Sequence, residues 1–243
     1  MLSQFSRSEL IFGKEFTNIL KGTRVAVFGL GGVGSYVAEA LARAGVGAID
    51  VIDSDTVNLT NINRQLIALH STLGQNKTDV CEKRIKDINP DCVVTKHNTF
   101  YLPENADDFD LSQYSYVIDA IDTVSAKIEL AVRCSLLGVK IISSMGTGNK
   151  TDPFAFKISD IYKTKVCPLA RVMRAELKKR NIAALRVVYS EETPVKPDEE
   201  ALMEYRQKSP DGKNSVPGSN SFVPACAGLL IASYVIKELT NNI

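Results

Sequence analysis

Arg24-Val25-Ala26-Val27-Phe28-Gly29-Leu30-Gly31-Gly32-Val33-Gly34-Ser35 decides the fold. The apolar run over 24–28 reads as a short buried strand. Gly-x-Gly-x-x-Gly follows it, and from 33 to 44 alanines and leucines recur at helical spacing until Gly45. In that order the backbone at Gly29, Gly31, Gly32 and Gly34 can approach phosphates. The helix start at Ser35 offers them N–H groups. A second strand over 48–52 ends at Asp53, placed to accept ribose hydroxyls. On these residues alone NAD, FAD and ATP all remain open.

Working outward, the spacing predicts a helix over 75–88 with Cys81, Ile85 and Ile88 on one face, stopped by Asn89-Pro90. Strands follow over 92–95 and 116–118, the second ending at Asp119. Then come a helix over 125–137, closed by Gly138, and a strand over 139–143. Strand alternating with helix implies a parallel sheet with right-handed crossovers. Ligands then sit at the carboxyl ends of the strands, where Gly29, Asp53, Asp119 and Asp122 fall. Beyond this core the pattern predicts a strand over 154–158, a helix over 168–179 and a strand over 185–189. The stretch 191–220 is acidic, then rich in Pro, Gly, Ser and Asn, and reads as a long mobile loop. The expected architecture is a single α/β domain, a Rossmann-like, doubly wound, mainly parallel sheet. Residues 1–150 form its nucleotide-binding core, and 151–243 a strand/helix extension that faces substrate and carries the mobile loop.

The 243 residues carry 29 basic against 28 acidic side chains, so no global field draws nucleic acid and any RNA contact must be local. The longest apolar run, 222–236, holds Pro224, Gly228 and Ser233 and is too short to span a bilayer comfortably. It reads as a buried core helix. With no charged-then-apolar leader, the expectation is a soluble, cytoplasmic chain without a membrane partner. The five cysteines, Cys81, Cys92, Cys134, Cys167 and Cys226, include no Cys-x-x-Cys pair. They read as buried apolar residues rather than a disulfide framework or zinc site.

The segment after Asp53 tips the balance toward ATP. A dehydrogenase usually enters its next helix directly, whereas here Asp55, Asn61, Asn63, Arg64 and Gln65 crowd an irregular connection. Arg64 can fork onto phosphate oxygens, and Lys77, opening the next helix, offers them a point charge. Asp122 can hold a magnesium ion that bridges phosphates, or cap the helix that follows it.

Taken together, Arg7 in Phe-Ser-Arg-Ser-Glu-Leu-Ile-Phe-Gly, Gly-Leu-Gly-Gly-Val-Gly-Ser, Asp53-x-Asp55, Asn-Ile-Asn-Arg-Gln, Gly74-x-x-Lys77 and Asp119-Ala-Ile-Asp122 resemble the ThiF/MoeB branch of ubiquitin-activating-enzyme-like adenylating enzymes. Within it, Lys-Thr-Lys-Val-Cys-Pro-Leu-Ala-Arg (163–171) and Val-Val-Tyr-Ser-Glu-Glu (187–192) resemble the tRNA threonylcarbamoyladenosine dehydratases of the TcdA/CsdL type. The resemblance implies ATP and Mg2+ as the reagents of a carboxylate activation, and tRNA bearing threonylcarbamoyladenosine as substrate. In it the glycine turn approaches the phosphates and Asp53 holds the ribose. Asn61, Arg64 and Lys77 contact the triphosphate, and Asp122 is the magnesium-binding or catalytic carboxylate. It further implies a homodimer in which Arg7 reaches across a two-fold interface into the partner's site, and it leaves room for a sulfur-relay protein.

A basic stretch fits the RNA expectation. Lys163, Lys165, Arg171, Arg174 and Lys178 belong to it, the last three on one helix face. Cys167, before a proline at a helix start, reads as a packing residue or a stabilised thiolate. The nearest rival activity is activation of a small sulfur-carrier protein. Against it, the two Cys-x-x-Cys pairs common in such activators are missing from this sequence. An NAD-dependent oxidoreductase is the rival from another class, and neither His70 nor His97 falls in the motif crevice.

Overall fold

The computed structural model describes residues 2–208 and 217–241. Two helices, α1 (Ser6–Phe12) and α2 (Lys14–Lys21), lead into β1 (Arg24–Phe28), α3 (Gly34–Ala44) and β2 (Ala48–Ile52). Then come α4 (Lys77–Ile88), β3 (Val93–His97), β4 (Tyr116–Asp119), α5 (Val124–Leu137) and β5 (Ile141–Ser144). The chain continues through β6 (Phe156–Asp160), α6 (Pro168–Lys179), β7 (Arg186–Ser190), α7 (Glu199–Lys208) and α8 (Val223–Leu239).

The seven strands form one sheet in the order β3-β2-β1-β4-β5-β7-β6, and only the β6–β7 pairing is antiparallel. β1 is flanked by β2 and β4, so the strand order reverses beside it and a crevice opens at its carboxyl end. β1 can occupy that central place because Val25, Ala26, Val27 and Phe28 are all buried, as a strand covered on both faces requires. Its side chains alternate between two cores. Val25 and Val27 pack with Leu20, Val37, Leu41, Ile231 and Val235, whereas Ala26 and Phe28 pack with Tyr101, Phe109, Leu130 and Cys134. A third cluster joins β7 to α5 and α6 through Ala131, Met173, Leu177 and Val187.

The expected strands are all present, β1 and β2 at their expected bounds and the others with ends shifted by at most two residues, and β7 inserts beside β5 in the same sheet. One expectation is corrected. The stretch 191–220 holds the helix α7, and 209–216 lies outside the described residues. The run over 222–236 does form a core helix. In α8 Val223, Ala227, Gly228, Ile231 and Val235 are buried, and among the described residues no helix is long and apolar enough to cross a membrane.

All five cysteines are free, and Cys81, Cys92, Cys134 and Cys167 are buried. Burial pushes the thiols of Cys81 and Cys134 up to about 12 and that of Cys92 up to about 11. These three are packing residues, not nucleophiles.

Candidate active site

A cleft of about 840 Å³ lies over the carboxyl ends of β1, β2, β4 and β5, within the roughly 300–1,000 Å³ of small-molecule sites. Its floor is the glycine turn. Gly29 N–H donates to Ile52 O and Ala120 N–H to Phe28 O, both at 2.8 Å, so three strand ends are knitted together beneath it. Gly29 has φ +89°, and a Cβ there would lie 2.7 Å from the Ala120 carbonyl oxygen. At Gly34 a Cβ would lie 1.8 Å from Gly29 O, so only glycine lets the helix start this close to the turn. Gly31 is different. Its missing Cβ faces nothing closer than Gln65 Nε2 at 4.0 Å, leaving a bare stretch of backbone open to the cleft.

Asp53 fastens this turn. One carboxylate oxygen accepts the Leu30 N–H at 2.7 Å and the other accepts the Asp55 N–H at 2.8 Å. Burial pushes the Asp53 carboxyl up from its ordinary value, against the pull of Lys77 and of these two donors. Lys77 is itself buried, with Nζ 2.7 Å from Asp55 Oδ2 and 3.7 Å from Asp53 Oδ1. The sequence predicts a lysine that offers phosphates a point charge, and the fold holds that charge between two carboxylates.

Arg64 carries the uncompensated positive charge of the cleft. Its guanidinium donates to the Thr60 carbonyl at 2.8 Å and to Asn63 Oδ1 at 3.1 Å, and no carboxylate among the described residues pairs with it. Burial pulls its pKa down from the ordinary value. The asparagines around it shape the loop. Asn61 Oδ1 accepts the Asn58 N–H at 3.0 Å, and Asn58 Oδ1 the Thr60 N–H at 3.1 Å, closing a single 3-10 turn. Gln65 Oε1 and Ser54 Oγ, both of cleft-lining residues, are buried without a hydrogen-bond partner among the described residues. Buried orphans of this kind mark places where a polar ligand is wanted.

Asp122 lies exposed on the cleft wall, its carboxylate engaged among the described residues by Thr123 Oγ1 alone, at 3.4 Å. It does not cap α5. Thr123 occupies that position, which removes the capping role offered by the sequence. Among the described residues no cluster of three or more His, Cys, Asp or Glu side chains could hold a metal. A single carboxylate suits Mg2+, which keeps much of its coordination for water and substrate phosphates. ATP fits the same walls, with bare backbone at Gly31, the Arg64 and Lys77 cations, and the Asp53 carboxylate.

Several expected site residues lie elsewhere. Gly34 and Ser35 sit behind the turn. The Ser35 hydroxyl donates to Gly31 O at 2.7 Å and accepts the Leu66 N–H at 3.1 Å, tying the turn to the arginine-bearing loop. Asn63 is also outside the lining and donates to Ser219 O at 3.0 Å. Arg7 is exposed on α1, away from the cleft. Neither histidine lines it. In the basic stretch Lys163, Lys165, Arg171 and Lys178 are exposed. Arg174 is half-buried, donates to the Thr164 carbonyl at 3.1 Å and to its hydroxyl, and so fastens the approach to α6. Several lining groups were not anticipated, three of which matter most here. They are Phe100 and Tyr101, the backbone around Gly146 and Gly148 beyond β5, and Tyr205 of α7, whose phenol faces Arg64.

A glycine turn and a charged connection at the switch point of a parallel sheet define a nucleotide-binding protein of the Rossmann type. The ThiF family model matches residues 5–242, and the chain belongs to that family. It is 46% identical over 246 residues to the tRNA threonylcarbamoyladenosine dehydratase of Bacillus subtilis (strain 168), an alignment covering 100% of this chain and 97% of that protein. The fold is similar to the crystal structure of Escherichia coli tRNA N6-threonylcarbamoyladenosine dehydratase, TcdA, in complex with ATP, with TM-score 0.86 and 33% identity. That match covers 98% of this chain and 94% of the other. The complex of the same enzyme with AMP matches equally, with TM-score 0.86, 33% identity and the same coverage.

Proposed function

We propose that this chain is an ATP-dependent enzyme that dehydrates N6-threonylcarbamoyladenosine in tRNA, closing the threonylcarbamoyl side chain into a ring. One observation carries the reading. Arg64, without a carboxylate partner among the described residues, stands against the glycine turn, its Cγ 3.4 Å from where a Gly32 Cβ would lie, in a chain similar along its full length to dehydratases of this substrate.

A free carboxylate is a poor electrophile because its oxygen leaves badly. In the proposed sequence the threonine carboxylate attacks the α-phosphorus of ATP and pyrophosphate departs. The neighbouring carbamoyl group then attacks the activated acyl carbon, losing a proton, and the original carboxylate oxygen leaves on AMP. The net change in the nucleoside is the loss of one water. Holding both groups on one side chain supplies most of the second step's advantage through effective molarity. Bound Mg2+, with Asp122 as its protein ligand, would neutralise phosphate charge. Arg64 and Lys77 stabilise charge developing on the phosphates, the Gly31 backbone lies along them, and Asp53 accepts the ribose hydroxyls.

Arg7 belongs in this reading to a homodimer. A groove of about 630 Å³ beside α1 is lined by Phe12, Phe16, Tyr36 and Ile236, and Leu10 and Ile11 of the same helix are 85% and 76% exposed. A second copy on this face would cover that apolar surface and carry Arg7 toward the neighbouring cleft. The exposed basic side chains of 163–178 support contact with tRNA phosphates, and the site of action is the cytoplasm.

The test is mass spectrometry of nucleosides from threonylcarbamoyladenosine-bearing tRNA incubated with the chain, Mg2+ and ATP. Loss of one water together with formation of AMP is expected. An unchanged nucleoside would overturn the reading, and pyrophosphate exchange that requires a diglycine-tailed carrier protein would replace it.

A further inference from the structure

Lys127 is fully buried, as is Asp119, and the two form an ion pair directly beneath the cleft. Lys127 Nζ lies 3.0 Å from Asp119 Oδ1 and 2.9 Å from Oδ2, and it donates to the Ile121 carbonyl at 3.1 Å. The Asp119 carboxylate also accepts the Ile121 N–H at 3.1 Å and the Ser143 hydroxyl at 2.5 Å. Ile121 is therefore gripped at both its N–H and its C=O. Its carbonyl belongs to the peptide unit that leads into Asp122, whose own side chain has, among the described residues, only the Thr123 hydroxyl to steady it. The turn is also pressed against the phosphate cradle, because the Ala120 carbonyl fills the space where a Gly29 Cβ would be.

A buried ion pair is no guarantee of stability, since well-packed apolar residues of the same volume are often as good or better. What this pair supplies is a fixed direction for one carbonyl. The geometry points to Lys127 as a positioning residue. From beneath the β4–α5 turn it orients the peptide before Asp122, and so the carboxylate that meets the metal-bound nucleotide. This rests on the cleft being an ATP site.

The test uses the paired variant Asp119→Asn with Lys127→Met, which removes both charges at nearly constant volume, alongside Asp122→Ala and the triple variant. ATP dissociation constants are measured by calorimetry on the full chain, with saturating Mg2+ and with EDTA. Without Mg2+ the paired variant should bind within about threefold of the parent. With Mg2+ it should lose roughly tenfold, the scale of one charge-assisted contact, and Asp122→Ala should lose about the same. The triple variant should be no weaker than Asp122→Ala alone, because both changes act through one carboxylate.

Additive losses, parent-like binding by the paired variant, or indifference to Asp122→Ala would each overturn the assignment. Should the paired variant fail to fold, Ser143→Ala removes one donor to the same carboxylate. It should show a smaller loss with the same non-additivity, and additivity there would count equally against it. These binding measurements stand apart from the tRNA experiment, so failure of the dehydratase reading and failure of the positioning role are seen separately.

Discussion

The ammonium of Lys77 is paired at 2.7 Å with the carboxylate of Asp55, although Lys77 is buried and Asp55 is exposed. The lysine is thus anchored by a group at the cleft mouth, and a triphosphate has to share it or displace the carboxylate. Lys77→Met should weaken ATP binding by roughly 10- to 100-fold, the range for losing a charged hydrogen bond. Asp55→Asn should leave binding unchanged or tighten it severalfold. Calorimetry on both variants checks this. A tenfold weakening by Asp55→Asn would instead make Asp55 part of the grip on nucleotide.

The glycines separate into structural and ligand-facing positions. Gly34→Ala forces a Cβ to 1.8 Å from Gly29 O, so the backbone must move. Overpacking of this kind costs about 1–3 kcal/mol or more and should appear as a lower melting temperature. Gly31→Ala meets no atom closer than 4.0 Å and should melt near the parent, yet bind ATP poorly because the methyl stands where phosphate approaches. Thermal melts with and without ATP read both effects. Equal ATP protection of Gly31→Ala and the parent would move the phosphates elsewhere.

Arg64 should not tolerate lysine. Its guanidinium reaches the Thr60 carbonyl and Asn63 Oδ1 while remaining without a carboxylate partner among the described residues. A lysine keeps the charge but loses the fork. Turnover in Arg64→Lys should fall about 100-fold, the scale of one lost transition-state donor, with little change in melting temperature. Single-turnover AMP formation is the measurement, and parent-like rates would show that charge alone suffices.

Acid should unfold the chain partly through Asp50. This carboxylate is 1% exposed and takes Arg24 Nε at 3.0 Å, Arg24 Nη2 at 2.9 Å and the Tyr114 hydroxyl at 3.0 Å, with His97 Nε2 at 3.2 Å. Burial alone would push its pKa up. Hydrogen bonds from His97, Arg24 and Tyr114 outweigh it and hold the group below the usual carboxylate range. The native state therefore binds fewer protons than the unfolded one around that range. The associated stability is present above about pH 4 and is lost as pH falls further through the folded value. Asp50→Asn should lower the urea midpoint at neutral pH and flatten its decline in acid. Parallel curves for the two proteins would assign the acid lability elsewhere.

Much of this site is legible in the chain because strand ends and glycines announce themselves. Gly29, Asp53, Arg64 and Lys77 line one cleft because each sits where a parallel sheet sends its ligands. Lys127 was not legible in the same way, since a lysine in a helix ordinarily reads as solvated. A signal was nonetheless available, because Lys127 shares its helix face with Leu130, Ala131 and Cys134, all buried. The acidic, Pro- and Gly-rich bias of 191–220 hid α7, although Glu-Glu-Ala-Leu-Met-Glu within it is rich in helix formers. Arg174 matched the basic stripe by spacing. Its bonds to Thr164 follow from the chain's path before α6, which spacing does not encode.

The contacts of α8 bring a late segment of the chain against the glycine turn. Pro224 lines the cleft and would stand 3.1 Å from a Cβ at Gly32, and Gly228 fits where a Cβ would meet Val33 O at 2.5 Å. One wall of the nucleotide site is therefore supplied by residues translated long after its floor. A nascent chain lacks a finished ATP pocket until Val223–Leu239 has left the ribosome and docked. Nucleotide bound against Pro224 then stabilises the fold in which α8 is in place, by mass action.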